Sequence, residues 1–461
     1  MSNLMHESPA SNFSTVTVAR RRLTFRKRLV FSLVACGLLY LVTELAAFVI
    51  LLYSGESWSR VHEQMQTVAA RNPLRPGGEF SLPVMVHPYI GYVLQQDSAN
   101  PDKPVGEKYR ITDYGFIDDQ PPIHRRSADR VIVAIVGGSV ARQMAMTATS
   151  VLEEELSQHP AMTGKKFTFV RMAIDGHKQP QQLMAISYFL TQRAEFDIVI
   201  NLDGVNDAAL PQADNVSSGV AASYPRQWGS MLSPWTSQEV SRQVGYITYL
   251  RTRECDMAAF FLHRLPFWSP VVQLIWKVGD QRAEQQIHEE TKKIVTLRAS
   301  ERSLATSGPA ESFASQDALF EHCIDTWAKS SELLARLCSS QGTRYFHFLQ
   351  PNQYVPDSKT LTDDEKSKAI NEASPFRIPV MSCFPMMRKR GEQLRRAGVM
   401  FTDLTTVFVD HPESIYKDDC CHVTDAGDAI MARAIAREIR QSWDQSKPAS
   451  PMERFEPNRE R

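Results

Sequence analysis

Hydrophobic positions follow two regimes along the chain. Leu29–Tyr53 reads LVFSLVACGLLYLVTELAAFVILLY, an apolar run broken only by a few small polar residues and Glu44. About 20 apolar residues cross a hydrocarbon core as a helix, so this run predicts a single membrane-spanning anchor. It exceeds the roughly 7–15 residues of a signal-peptide core, and no small-residue cleavage site follows it, so the anchor is expected to stay uncleaved. Beyond residue 130 the pattern changes. Val131–Ala141 reads VIVAIVGGSVA, a β-branched run that stops on two glycines. That is the signature of a strand buried on both faces and followed by a sharp turn. Phe167–Ile174, Phe196–Leu202, Tyr345–Leu349 and Val399–Leu404 are further strand candidates, while Arg142–Gln158 and Pro180–Ala194 carry helical spacing. This alternation predicts βαβ units, hence an α/β fold with a mainly parallel sheet in a three-layer α/β/α arrangement.

The same pattern divides the chain. Residues 1–28 read as a disordered tail that ends in the basic cluster Arg20, Arg21, Arg22, Arg26, Lys27 and Arg28. The anchor occupies 29–53, a polar stalk 54–80, the α/β domain 81–444 and a second disordered tail 445–461. Lysine and arginine are retained on the cytoplasmic side, so the N-terminus is expected there and the large domain outside. In a bacterium this means an inner-membrane protein facing the periplasm. Glu44 falls inside the apolar run, where it reads either as a tolerated protonated glutamate or as a contact for a partner helix or polar path. His87–Leu94 and Tyr109–Phe116 are short aromatic-rich strand candidates, expected to pair; His87 and His124 read as structural. Residues 208–315 interrupt the α/β pattern as an insertion. Its aromatic stretch Ala259–Trp276 contains Pro266 and Pro270, which argue against one continuous transmembrane helix. A charged, helix-prone segment follows to Arg302. The insertion reads as added core, as a lid, or as a surface resting on the membrane.

Composition narrows the partners. The 461 residues carry 52 basic and 52 acidic side chains, a balance that gives no electrostatic footprint for nucleic acid. Seven cysteines are present, none in a CxxC pair, and Cys36 lies in the apolar run.

Four short stretches fall at the carboxyl ends of the predicted strands or before the last helix: Gly137-Gly138-Ser139, Asp175-Gly176, Gly204-Val205-Asn206-Asp207 and Asp419-Cys420-Cys421-His422. Acyl transfer accounts for the set. A serine hydroxyl needs a base to become a useful nucleophile, histidine can take and return that proton, and a carboxylate orients the imidazole. A glycine N–H and an asparagine amide suit the oxyanion. Ser139 alone could equally be a helix cap.

In this order the blocks resemble those of the SGNH (GDSL-type) hydrolases, a family of esterases and lipases. The resemblance spans Val131–Arg440. It implies Ser139 as nucleophile, Asp419 and His422 as its acid and base, and Ser139, Gly176 and Asn206 around the oxyanion. It implies no cofactor and no metal. Two departures stand out: Gly138 replaces the usual aspartate of the first block, and Asp418 adjoins Asp419. The expected activity is hydrolysis of acyl esters, acetyl among them, on envelope carbohydrate or lipid. An O-acyltransferase with the same triad and a silent envelope scaffold are the alternatives. Other roles compete with this set. Asp203 and Asp207 could form an acid/base pair, but read better as turn and cap residues. Cys420, Cys421 and His422 could suggest a metal, though neighbours in sequence seldom all point inward. A Cys421 nucleophile lacks a separate base. A disulfide from Cys420 or Cys421 to Cys383 would steady the histidine loop. His177 could line the substrate site or be a surface histidine at a helix start, and Tyr354 could line the site as well.

Overall fold

The computed structural model describes residues 24–70, 83–97, 100–106, 108–236, 238–300 and 303–445. Of the two tails read as disordered, residues 1–23, with Arg20–Arg22, and 446–461 lie outside the described residues, as does part of the stalk; Phe25–Arg28 correct that reading, because they form the first turn of a helix that continues into the apolar run. The β-branched runs form the strands β1 (Arg130–Gly137), β2 (Lys166–Arg171), β3 (Ile198–Asp203), β4 (Arg344–Leu349) and β5 (Met400–Asp403). They build one five-stranded sheet in the order β5-β4-β3-β1-β2, and every pairing in it is parallel. Residues 131–137 of β1 and all of β3 are buried; β1 is accordingly apolar without a break from Val131 to Val136, and β3 opens on Ile198-Val199-Ile200 before its two buried polar residues, Asn201 and Asp203. The predicted α/β fold with a mainly parallel sheet is therefore present.

Helices cover the sheet in two packed groups. The helix expected over Arg142–Gln158 begins at Ser139 and divides at Ala148 into α1 (Ser139–Thr147) and α2 (Thr149–Leu156). Both pack against the C-terminal helix α6 (Asp425–Gln441). Thr147 and Gln143 donate to Asp428 Oδ2 (both 2.9 Å), which ties α1 to α6 beside the split. The second group is α3 (Gln181–Thr191), α4 (Gln316–Ser340) and α5 (Arg377–Arg396).

After β2 the chain crosses β1 to reach β3, so β1 has its two successors on opposite sides. Such a switch in strand order opens a crevice at the carboxyl ends of an open parallel sheet. Ser139 stands at that point.

The aromatic strands pair within their own turns instead of with each other. Val84–His87 pairs with Gly91–Leu94, whereas Tyr109–Ile111 lies between Pro104–Val105 and Ile117–Asp118. His87 Nδ1 accepts the Tyr89 and Ile90 N–H groups, so it serves the first of these turns. Arg171 of β2 fastens the second set to the sheet. Its guanidinium pairs with Asp118 (2.8 Å) and donates to the Tyr109 hydroxyl (3.1 Å).

A second compact unit comprises the described residues up to Ala70 together with Tyr249–Ile287. The 29-residue helix Phe25–Tyr53 is long and apolar enough to cross a membrane. The stretch read as a stalk begins with the helix Trp58–Ala70, and the insertion contributes an α-helical hairpin, Gln238–Arg264 and Pro270–Ser300. Pro266 falls in the hairpin's turn and Pro270 opens its second helix, where a missing N–H costs nothing. The assignment of all of 208–315 to the α/β domain needs correcting for Tyr249–Ile287. Ala258 and Trp276 close a small core with Leu51, Val61, Met65 and Val68, apolar faces that neither segment could bury alone.

Candidate active site

The Gly137–Ser139 turn is where three sequence-distant segments meet. Gly137 has φ +145° and passes so close to β3 that a Cβ there would lie 2.1 Å from the Leu202 carbonyl oxygen. Ile174 donates its N–H to the Gly137 carbonyl (3.2 Å), which carries Asp175-Gly176 alongside the turn. Gly176 adopts φ +75°, a backbone region that favours glycine. A Cβ on Gly138 would sit 2.2 Å from Asn206 Nδ2 and 3.3 Å from the His177 carbonyl oxygen. A side chain at 138 would need the Asn206 amide to move aside. Asn206 is fixed in turn by donating to the His177 carbonyl (2.9 Å).

Ser139 opens α1, and its Oγ lies 2.8 Å from His422 Nε2. His422 Nδ1 lies 2.5 Å from Asp418 Oδ2. With Nδ1–H committed to the carboxylate, Nε2 is left to accept the serine proton. The acid in this chain of contacts is Asp418, which corrects the expectation of Asp419. Asp418 Oδ1 accepts the N–H groups of Cys420 (3.1 Å), Cys421 (3.0 Å) and His422 (3.2 Å), so the loop wraps around its carboxylate. Asp419 points elsewhere and accepts from Asn371 Nδ2 (2.8 Å). Burial works to raise the Asp418 pKa, but the hydrogen bond from His422, its charge and the backbone N–H groups outweigh it and hold the carboxyl at about 2.

The loop after β4, Gln350-Pro-Asn-Gln-Tyr, supplies a scaffold that sequence reasoning missed. Asn352 donates to the Cys420 carbonyl (2.8 Å), Gln353 to that of Asp418 (3.0 Å) and Tyr354 to that of Asp419 (3.0 Å). Tyr354 therefore holds the histidine loop, a role distinct from lining a substrate site. The run of amides just beyond a strand was the available signal. Glu365, fully buried, accepts the N–H groups of Ile415 (2.8 Å) and Tyr416 (3.0 Å) and so supports the loop's approach. Thr424 then caps α6 by accepting from the Gly427 N–H (3.3 Å).

Other candidates fall outside this cluster. His177 is buried against Tyr92, with Nε2 3.1 Å from the Tyr92 carbonyl, and desolvation lowers its pKa to about 4. It is a neutral core histidine. Cys383 is buried with its thiol facing the Ala208 carbonyl, and no described cysteine forms a disulfide. The Cys420 and Cys421 sulfurs lie 2.7 Å apart. The contact with Cys420 comes first and burial second in pushing the Cys421 thiol up, which keeps it protonated and a poor nucleophile. Cys420, Cys421 and His422 present ligand-type atoms within 4.8 Å of one another. Both His422 nitrogens are nevertheless engaged by Ser139 and Asp418.

Asp207 accepts the N–H of Gln179 (2.7 Å), a residue of the loop before α3. Asp203 belongs to a second Ser–His–Asp chain, buried in the core. Ser331 Oγ lies 2.7 Å from His347 Nδ1, and His347 Nε2 lies 2.9 Å from Asp203 Oδ1, which also accepts from Trp327 (2.7 Å). All three members are buried, so no substrate reaches this serine. Ser331→Ala should leave turnover of a small ester within a few-fold of the parent while lowering unfolding stability by about 1–3 kcal/mol, the cost of an orphaned buried nitrogen. Parallel denaturation and esterase assays measure both.

No family model matches the chain, and no curated protein matches it. Solved structures with a similar arrangement include a catalytic mutant of Axe2, an acetylxylan esterase from Geobacillus stearothermophilus. It is 12% identical at TM-score 0.30, over 68% of this chain and 95% of that one. A second Axe2 mutant, described as an acetyl-xylooligosaccharide esterase, is 13% identical at TM-score 0.30, over 68% and 94%. A gut microbial diltiazem-metabolizing enzyme is 9% identical at TM-score 0.31, over 68% of this chain and 48% of its own.

Proposed function

We propose that the chain is a membrane-anchored serine esterase of the SGNH type, acting outside the cytoplasm on acyl esters, acetyl among them, of envelope carbohydrate or lipid. The observation that carries this reading is the hydrogen-bonded chain Ser139–His422–Asp418 at the switch point of the sheet. In the reaction, Ser139 Oγ attacks the ester carbonyl carbon as its proton passes to His422 Nε2. The carbonyl electron pair moves onto oxygen, where the Ser139 and Gly176 N–H groups and the Asn206 amide stabilise it. Collapse of this intermediate expels the alcohol, which takes the proton from His422 and leaves acyl-Ser139. Water, deprotonated by His422, repeats the sequence and releases the acid. Asp418 remains ionised throughout and stabilises the imidazolium. The basic residues before the apolar helix support a cytoplasmic N-terminus and an external α/β domain.

Asn206→Ala should lower kcat on a small ester by about 10²–10³-fold with little change in KM, since an oxyanion donor acts chiefly in the transition state. Steady-state kinetics on the folded variant checks this. Hydrolysis itself is tested by incubating the protein with an acetylated oligosaccharide in water, without added acceptor, and measuring free acetate. The expected result is continuous release. An acyl-enzyme that persists in water but discharges quickly onto an unacylated oligosaccharide would make the protein a transferase instead.

A further inference from the structure

An ionisable side chain within an apolar membrane-length helix needs a partner, and Glu44 has one. Its carboxylate accepts the Ser269 hydroxyl (2.6 Å) and the Val271 N–H (3.1 Å), at the start of the second hairpin helix. Further along, Lys277 pairs with Glu56 (2.9 Å) and donates to Gln64 (2.6 Å), and Trp58 Nε1 donates to the Trp268 carbonyl (3.2 Å). The hairpin is thus fastened to the apolar helix at Glu44 and to the segment after it at Glu56, Trp58 and Gln64, with Trp276 buried in a core that includes Leu51, Val61, Met65 and Val68. Within and beside the tip, Trp268 is 60% exposed, Ile275 57% and Phe260 52%. From Phe260 to Trp276 the only basic side chains are His263 and Arg264, and there is no acidic one.

We infer that the hairpin tip is seated in the outer headgroup and acyl boundary of the bilayer, with Phe260, Trp268 and Ile275 facing lipid. This inference rests on the proposed membrane anchoring of Phe25–Tyr53. Depth supports it. If the span begins at Leu29, beside the basic residues, the fifteen residues to Glu44 rise about 22 Å, against a hydrocarbon core of about 30 Å. Glu44 and the tip it holds therefore lie about 8 Å inside the outer edge, within the roughly 5–10 Å reached by interfacial elements. Tryptophan favours that depth, and Arg264, exposed at the end of its helix, has the length to reach lipid phosphates. The occupant of these exposed apolar side chains is lipid because the tip is hydrogen-bonded to the membrane-length helix itself, whose Leu41, Leu45 and Ile50 are also exposed. Glu44 is then a fastener for a second membrane-seated element, and the aromatic composition of the insertion follows from its surroundings.

The test uses the full chain in phosphatidylcholine–phosphatidylglycerol nanodiscs. An environment-sensitive fluorescent amino acid replaces Trp268, Leu41 or Lys389 by codon suppression, one at a time, and quenching by doxyl-labelled lipid is compared with quenching by iodide. Lipid quenching should exceed iodide quenching several-fold at 268 and at 41, with the reverse at the exposed position 389. Lipid quenching at 41 with iodide quenching at 268 would overturn the inference and leave the anchor intact. Iodide quenching at both would overturn the anchor and the inference with it. Shielding of 268 from both quenchers, with 41 in lipid, would replace lipid by a protein partner. A Glu44→Gln variant gives a second readout: weaker fastening should raise iodide quenching at 268 and leave 41 unchanged.

Discussion

Replacing Ser139 by alanine should lower kcat for a small acyl ester by about 10⁴-fold or more, without altering the thermal unfolding midpoint. The size of the effect follows from what is lost. The oxyanion donors and the binding surface remain, but no acyl-enzyme can form. His422→Ala should cost about as much, because an unactivated serine is nearly as inert as none. The double variant should be little worse than either, since members of a triad act as a unit. The stability expectation rests on the geometry: Ser139 stands at the first position of α1, and its side chain contacts His422 rather than capping a backbone group. Stopped-flow or steady-state assays, with a melting curve for each variant, check both expectations.

The second large effect separates two adjacent carboxylates. Asp418→Asn should lower kcat by about 10⁴-fold, because an amide cannot hold the imidazole in the tautomer that leaves Nε2 free to accept. Asp419→Asn should stay within a few-fold of the parent. Its carboxylate contacts Asn371, and its link to Tyr354 and Ser374 runs through the backbone carbonyl, which the substitution retains. The same kinetic assay on the two variants decides the point. Equal loss in both, or loss confined to Asp419→Asn, would contradict the placement of the acid. The acid's own titration has a defined sign. A carboxyl held at about 2, below its ordinary value, contributes stability that is present above the unfolded pKa of about 3.9 and lost as pH falls through 2.

Asp418 rather than Asp419 faces His422 for a reason that lies outside the local sequence. The spacing Asp-x-x-His describes Asp419, and one residue of displacement leaves no trace in composition or periodicity. The choice is made by three consecutive backbone N–H groups that converge on Asp418 Oδ1, a curl of the loop that the Asn352, Gln353 and Tyr354 side chains hold from outside. Those contacts join residues more than sixty positions apart and have no local signature. His177 was misplaced for the same reason: the Tyr92 segment that buries it lies 85 residues earlier. The sheet, by contrast, is legible because strands buried on both faces favour unbroken apolar runs, as in Val131–Val136 of β1 and Ile198–Ile200 of β3. That Gly138 lies against the Asn206 amide has no local signature either, since only the fold brings the two together. The partnership of the insertion with the N-terminal helix could not be read at all. Apolar faces on Ala258, Trp276 and Leu51 announce burial but never name the surface they meet.

The central claim is that Ser139 carries a nucleophile activated by His422. Treatment with a fluorophosphonate, followed by digestion and mass spectrometry, tests it at the level of the atom. The expected result is a single stoichiometric adduct on the peptide containing Ser139, absent from Ser139→Ala and slowed by orders of magnitude in His422→Ala. An adduct on Ser331 or Cys421, or equal labelling of Ser139→Ala and the parent, would contradict it.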